Sequence, residues 1–240
     1  MKIVLIGHGR MGRLIEQTAV AAGDEVAGVF DENNTAALEK ADLKADVVMD
    51  FSSPAALSRV ADYARRTSTP LLSGTTGYTP NDLEVFHRLG QLIPVLHSAN
   101  YSIGIAVFRQ VLEQISDVLK PDFDIEIVET HHNQKVDAPS GTAKLLLDAI
   151  DPRHQMKPVY GRQGICGKRE KNEIGIHAIR GGTVAGEHTV SFFGVDEVLE
   201  ITHKAGSRQI FVNGALYVAR KLIHMPKGHY QLQDILFGGK

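Results

Sequence analysis

The stretch THHNQKVDAPSGTA at 130–143 places two histidines, a lysine and an aspartate directly before Ser-Gly-Thr and an apolar run. Imidazoles titrate near neutral pH and can give or take a proton. Adjacent residues on a strand face opposite ways, so His131 and His132 cannot serve one function in the same manner. Asp137 or Ser140 can cap a helix over TAKLLLDAI. Gly141 and Thr142 open that helix with backbone N–H groups that attract an anion. Lys135 adds a full positive charge beside them. The chemistry suits a small carboxylate that needs a proton. The plain alternative is two surface histidines at a strand end and a solvated lysine. No third ligand follows at a recognisable spacing, so no metal is expected.

A second chemical signal lies at the N-terminus. GHGRMG supplies Gly7, Gly9 and Gly12 in the pattern G-x-G-x-x-G, directly after the apolar run KIVLI. The first glycine permits a tight turn, the second lets a pyrophosphate approach the backbone, and the third lets helix and strand pack closely. The loop residues Gly7, His8, Gly9, Arg10, Met11 and Gly12 are therefore candidate cofactor contacts. The next apolar run ends GVFDEN, placing Asp31 where an acid binds adenosine ribose hydroxyls. Glu32 follows, and two acids repel a 2′-phosphate. NADH is expected to be preferred, with NADPH possible if a cation arrives from elsewhere. Three further runs end in DFSSP, SGTTG and SANYS. They offer Gly74, Thr75, Thr76, Ala99, Asn100, Tyr101 and Ser102 as lining for the nicotinamide side.

These residues need a scaffold. KIVLI, EVAGVF, ADVVMDF, PLLSG and PVLHS read as short buried strands, with helical patterns over 54–66 and 80–89 between them. That alternation means a parallel sheet covered on both faces. After residue 102 the texture changes. A long amphipathic helix over 103–120 precedes the strand FDIEIVET. A polar, basic segment at 151–173 then leads to three β-rich runs, IGIHAIRGG, EHTVSFFG and VLEITHKAG. Their alternation suggests an antiparallel or mixed sheet with one partly solvated face. A final helix over 206–223 is expected to return to the first domain. The fold class is α/β: a Rossmann-type dinucleotide-binding domain at 1–102 plus 209–240, and an α+β domain with a mixed sheet at 103–208.

Composition agrees with a globular protein: 43% hydrophobic, 22% charged and a net charge of −2. Such a balance gives no basic footprint for nucleic acid. The apolar runs are short, so no membrane span is expected. Cys166 is the only cysteine, which excludes an intrachain disulfide. The N-terminus lacks a secretory pattern, and the cytoplasm is the expected location.

GHGRMG, DFSSP, GTTG, SANYS, IGIHAIRGG, GEHTV and above all ETHHNQKVDAPSGTA at 129–143 together resemble the dihydrodipicolinate reductase family, over essentially the whole chain. The resemblance implies a nicotinamide-dependent reduction of a cyclic dicarboxylate in the diaminopimelate route to lysine. It implies His131 as proton donor or acceptor and Lys135 as a second proton donor. It implies substrate contacts from His132, Gly141 and Thr142, with Arg208 as a further candidate. It also implies hinges near 101–104 and 206–210, and a homotetramer associating through the second-domain sheets.

Some positions depart from the family pattern. The chain is short. Glu32 stands where dual-cofactor members carry a basic residue, and Ser53 where some relatives have arginine. Cys166 and the basic segment 160–171 have no assigned role, and a mobile surface loop is expected there. Two other readings remain: a different nicotinamide-dependent amino-acid or imine dehydrogenase, and a non-enzymatic NAD(H) sensor. A sensor needs the glycine loop but no clustered proton donors.

Overall fold

A computed structural model describes residues 1–238 of the chain. The chain forms two compact units, one from Met1–Ser102 plus the segment from Gln209 onward, the other from Ile103–Arg208.

The first unit is built on a six-stranded parallel sheet. Its strands are β1 (Lys2–Ile6), β2 (Glu25–Phe30), β3 (Val47–Asp50), β4 (Leu71–Ser73), β5 (Pro94–His97) and β11 (Gly228–Tyr230), ordered β11-β5-β4-β3-β1-β2. The central strands are continuous apolar runs because both faces are covered. Ile3, Val4, Leu5 and Ile6 are fully buried, as are Val47, Val48 and Met49. Helices α1 (Arg10–Ala21), α2 (Leu57–Thr67) and α3 (Pro80–Gly90) make the crossovers. The helical pattern beginning at Pro54 opens as a 3-10 turn, Pro54–Ala56, before α2. Thr79 caps α3 in a reciprocal pair with Asp82, and Pro80 takes the first helical position, where its missing N–H costs nothing.

The second unit starts with α4 (Ile103–Leu119), β6 (Asp124–His131) and α5 (Gly141–Ile150), followed by β7 (Lys157–Tyr160), β8 (Glu173–Arg180), β9 (Gly186–Phe193) and β10 (Val198–Ala205). The sheet order is β10-β9-β6-β8-β7. Strand β6 pairs parallel with β8 and antiparallel with β9, so the sheet is mixed. Burial along β6 alternates strictly, with Ile125, Ile127, Glu129 and His131 inside. Ile125 and Ile127 pack with Leu146 and Ile150 of α5 and Phe108 and Leu112 of α4. At about 25 cal/mol per Å² of apolar area removed from water, this packing is what anchors the strand ending in His131.

Helix α6 (Gln209–Leu222) belongs to the first unit. The Gln209 amide donates to Thr18 Oγ1 of α1 at 2.9 Å, and Arg220 pairs with Asp24. Two elements were not expected beyond it: β11, which extends the parallel sheet beside β5, and α7 (Leu232–Phe237). Their runs are too short to carry a periodic signal. The last two residues of the 209–240 segment lie outside the described ones.

The segment 160–171 is a surface loop at the end of β7, and two of its arginines are paired. Arg162 makes two hydrogen bonds to Glu126, both 2.9 Å, and Arg169 reaches Asp124 at 2.9 Å and Glu126 at 3.2 Å. Burial works to raise the Glu126 carboxyl, but hydrogen bonds from Arg162, His177 and Arg169 outweigh it and hold it at about 2. Cys166 is exposed. No described helix is long and apolar enough to cross a membrane.

Candidate active site

The glycine loop joins β1 to α1. Gly7 has φ +90°, and a Cβ there would lie 2.3 Å from the Phe51 carbonyl oxygen. A Cβ on Gly12 would lie 1.9 Å from the Gly7 carbonyl oxygen, so helix and loop touch backbone to backbone. Gly9 is different: nothing lies within 4 Å of the space its Cβ would take. Gly9 is also the N-cap of α1, and no side chain caps that helix. Open space beside uncapped helix N–H groups fits a pyrophosphate. His8, Arg10 and Met11 surround this turn, His8 being held by Glu16 at 2.7 Å.

Beside the loop is a cavity of about 640 Å³ lined by Gly9, Arg13, Asp31, Glu32, Ser53 and Arg59 among others. Asp31 sits just past β2 and accepts the Asn33 N–H at 2.9 Å, which orients its carboxylate. The two arginines were missed at the sequence level, because neither lies next to the acids in the chain. The fold brings them from the glycine-loop helix and from α2.

The other strand ends are organised around Asp50, 1% exposed at the end of β3. Its carboxylate accepts hydrogen bonds from Ser73 Oγ at 2.8 Å, Thr75 Oγ1 at 2.9 Å and Tyr78 Oη at 3.0 Å, and from the N–H and hydroxyl of Ser52. Three expected lining residues are buried, Ser102 at 1% exposed among them. Thr75 is 3% exposed and spends its hydroxyl on Asp50; Tyr101 is 2% exposed and donates to the Ser73 carbonyl at 2.7 Å. A buried hydroxyl must find a partner, and these find theirs inside the protein. Gly74 packs against the Phe51 ring, where a Cβ would lie 2.2 Å away. Thr76 and Ala99 stay exposed; the Asn100 side chain accepts the Ser102 N–H at 2.8 Å.

In the second unit the signature folds around Glu129. This carboxylate, fully buried, accepts the Ser140 N–H at 3.0 and 3.1 Å and the Arg180 guanidinium at 2.9 Å. Burial works to raise it; the Ser140 and Arg180 hydrogen bonds more than offset that, and it stays below the usual carboxylate range. His131 ends β6 at 8% exposed, its Nδ1 3.4 Å from Glu129 Oε2. Burial lowers His131, Glu129 opposes, and Lys135 lowers it further. His132 is half-buried, on the opposite side of the strand end as alternation requires.

Of the two candidate caps, Ser140 takes the position: its Oγ accepts the Ala143 N–H at 3.1 Å. Asp137 instead pairs with Lys135 at 2.7 Å, so the lysine's charge is already partly balanced. Gly141, exposed, and Thr142, half-buried, form the first turn of α5. Arg208 is exposed at the unit boundary, and no hydrogen bond or ion pair joins it to this cluster among the described residues.

Spacing along the chain offers no third ligand beside the histidines, but the fold supplies a cluster of three donors. Side-chain donors of Glu129, His131 and His188 lie within 4.8 Å of one another. Sheet register brings them together, since His188 on β9 is the direct partner of Glu129. A cation there would compete with Arg180, which pairs with Glu129 at 2.9 Å.

A parallel-sheet unit with an open glycine loop, joined to a mixed-sheet unit carrying a buried histidine beside a helix start, defines a nicotinamide-dependent oxidoreductase. Residues 1–101 match the family described as dihydrodipicolinate reductase, N-terminus, and residues 104–236 the same family's C-terminus. The chain belongs to the dihydrodipicolinate reductase family. It is 42% identical over 238 residues to a 4-hydroxy-tetrahydrodipicolinate reductase of an Exiguobacterium species, covering 98% of this chain and 95% of that protein. It is also 42% identical over 248 residues to that of Clostridium tetani, covering 98% and 97%. Relatives spanned so fully are of similar length, so the chain is not short beside them. The fold matches a dipicolinate-bound dihydrodipicolinate reductase from a Paenisporosarcina species with a TM-score of 0.78, 19% identity and 99% of each chain covered. An amine dehydrogenase from Mycobacterium smegmatis gives 0.62 and 9%, covering 97% and 95%.

Proposed function

We propose that the protein reduces 4-hydroxy-tetrahydrodipicolinate to tetrahydrodipicolinate in the diaminopimelate route to lysine, with His131 and Lys135 as its proton-handling residues. The observation that carries the reading is His131 at the end of β6, its Nδ1 3.4 Å from the buried Glu129 carboxylate that also accepts the Ser140 N–H at the start of α5. A proton source and an anion-binding helix start are thereby set on one rigid anchor.

NADH, when bound, supplies the hydride. The protein does the rest. The α5 start at Gly141 and Thr142, with Lys135, binds a substrate carboxylate. His132 contacts the ring, and Arg208 is assigned a second contact. Water leaves C4 of the substrate, hydride is delivered there, and the neighbouring carbon takes a proton from His131. Burial lowers the free His131 imidazole. A dicarboxylate arriving beside it favours the protonated form, so substrate binding itself charges the donor.

Asp31 is assigned the adenosine ribose hydroxyls. Asp31 and Glu32 together favour NADH, while Arg13 and Arg59 in the same cavity leave NADPH usable. The family resemblance supports a homotetramer acting in the cytoplasm. The reaction is tested by generating the unstable substrate from aspartate semialdehyde, pyruvate and the preceding synthase, then following NADH and NADPH oxidation separately. Synthase-dependent oxidation supports the reading; none with either cofactor, while NADH still binds, sinks it. Replacing Lys135 by alanine separates a reductase from a sensor, since only the reductase loses turnover. Glu32→Arg should raise NADPH efficiency, and an unchanged ratio refutes the assignment of the acids.

A further inference from the structure

The motif GEHTV at 186–190 has no role in the reaction as described so far. Its histidine, His188, is 4% exposed in β9. The ring touches three fixed points of the site. Its Nε2 lies 3.1 Å from Ser140 Oγ and 3.7 Å from Glu129 Oε2. Its plane meets the His131 ring edge to face, with centroids 5.0 Å apart at 74°. Nδ1 has no hydrogen-bond partner among the described residues, whichever ring nitrogen carries the proton.

A purely structural core position would be filled more cheaply by leucine. Burying an imidazole with one nitrogen unpaired costs free energy that apolar packing would not. The groups facing it are Glu129 and His131 on β6, His203 on β10 and Lys135. Burial, and then His131, push His188 down to about 4. The ring is therefore neutral whenever the enzyme works near pH 7. A second cation at this spot would repel a protonated His131; a neutral ring supports it without that cost.

We propose that His188 is a positioning residue for the reduction: its imidazole holds the His131 ring and the Ser140 cap in one register, so that the proton donor and the carboxylate-binding helix start keep a fixed spacing. This rests on the role given above to His131 and α5.

The test compares His188→Leu and His188→Gln with wild type as full-length protein. Folding is checked by circular dichroism. The readouts are kcat, KM for both substrates, the pH profile of kcat, and dipicolinate affinity by titration calorimetry. In His188→Leu, kcat should fall about tenfold or more, dipicolinate should bind more weakly, and KM for NADH should stay within about twofold. The pH limb of His131 should move. Glutamine can still reach Ser140, so it should restore part of kcat. Wild-type kcat and pH profile in His188→Leu overturn the proposal. So does an equal loss in both variants with the pH limb unmoved, which is the mark of packing alone. Should the leucine variant not fold, the glutamine variant decides by its pH limb and dipicolinate affinity: shifted values support the proposal, wild-type values overturn it. A wild-type enzyme without synthase-dependent turnover refutes the proposed reaction instead, and the calorimetric arm still reads the His188 effect.

Discussion

The Glu129 carboxylate accepts the backbone N–H of Ser140 at 3.0 Å, eleven residues further along the chain. That bond ties the strand carrying His131 to the cap of the helix assigned to substrate. It makes the spacing of His131 and the α5 start a property of one buried acid.

Removing that acid's charge has a predictable sign. Burial lowers His131 and Glu129 is the first opposing influence. In Glu129→Gln the imidazole loses this support, so its pKa falls further and the kcat limb set by His131 moves to lower pH. Arg180 also loses its partner. Stability should drop by about 2 kcal/mol, read as a lower denaturant midpoint. An unmoved limb would contradict the pairing.

Gly186 lies against the His131 imidazole. A Cβ there would come 3.0 Å from His131 Nε2. Gly186→Ala should keep the fold and lower kcat by crowding the ring, with KM for NADH unchanged. A variant as fast as wild type would show that Nε2 needs no clearance.

Dicarboxylate binding should take up a proton. His131 is lowered in the free protein, and a dianion beside it raises it. Calorimetry of dipicolinate binding near pH 7, in buffers of different ionisation enthalpy, should give an enthalpy that varies with the buffer. A buffer-independent enthalpy refutes this.

His188 adds a pH dependence to stability. Its pKa falls from 6.5 in the unfolded chain to about 4 in the fold. The unfolded state therefore binds the extra proton between these values. The contribution is full above 6.5 and is lost as pH falls towards 4, amounting to about 3 kcal/mol. Denaturation midpoints between pH 7 and 4 should flatten in His188→Gln. An unchanged slope would assign acid sensitivity elsewhere.

Asp50 holds the strand ends of the first unit together. Asp50→Ala removes the acceptor shared by the hydroxyls of Ser52, Ser73, Thr75 and Tyr78. It should destabilise the first unit by about 3 kcal/mol and raise KM for NADH, with dipicolinate affinity retained. A variant with wild-type KM for NADH would separate Asp50 from the cofactor site.

Local pattern in the chain determined much of this protein. KIVLI, GHGRMG and the run to GVFDEN carried the parallel sheet and its glycine loop, because buried strands and tight turns restrict residue type within a few positions. Strict alternation carried β6, and Ser140 before an apolar run carried α5. What the tertiary structure alone decided is which distant groups meet. Glu129 and His188 become partners through antiparallel register, and Arg59 comes to line the same cavity as Asp31 through the packing of α2. Thr75 and Tyr101 turn inward because Asp50 and the Ser73 carbonyl need donors. None of these pairs is close in sequence. A buried charge selects its partners by distance in space, and a periodic pattern carries no record of that distance.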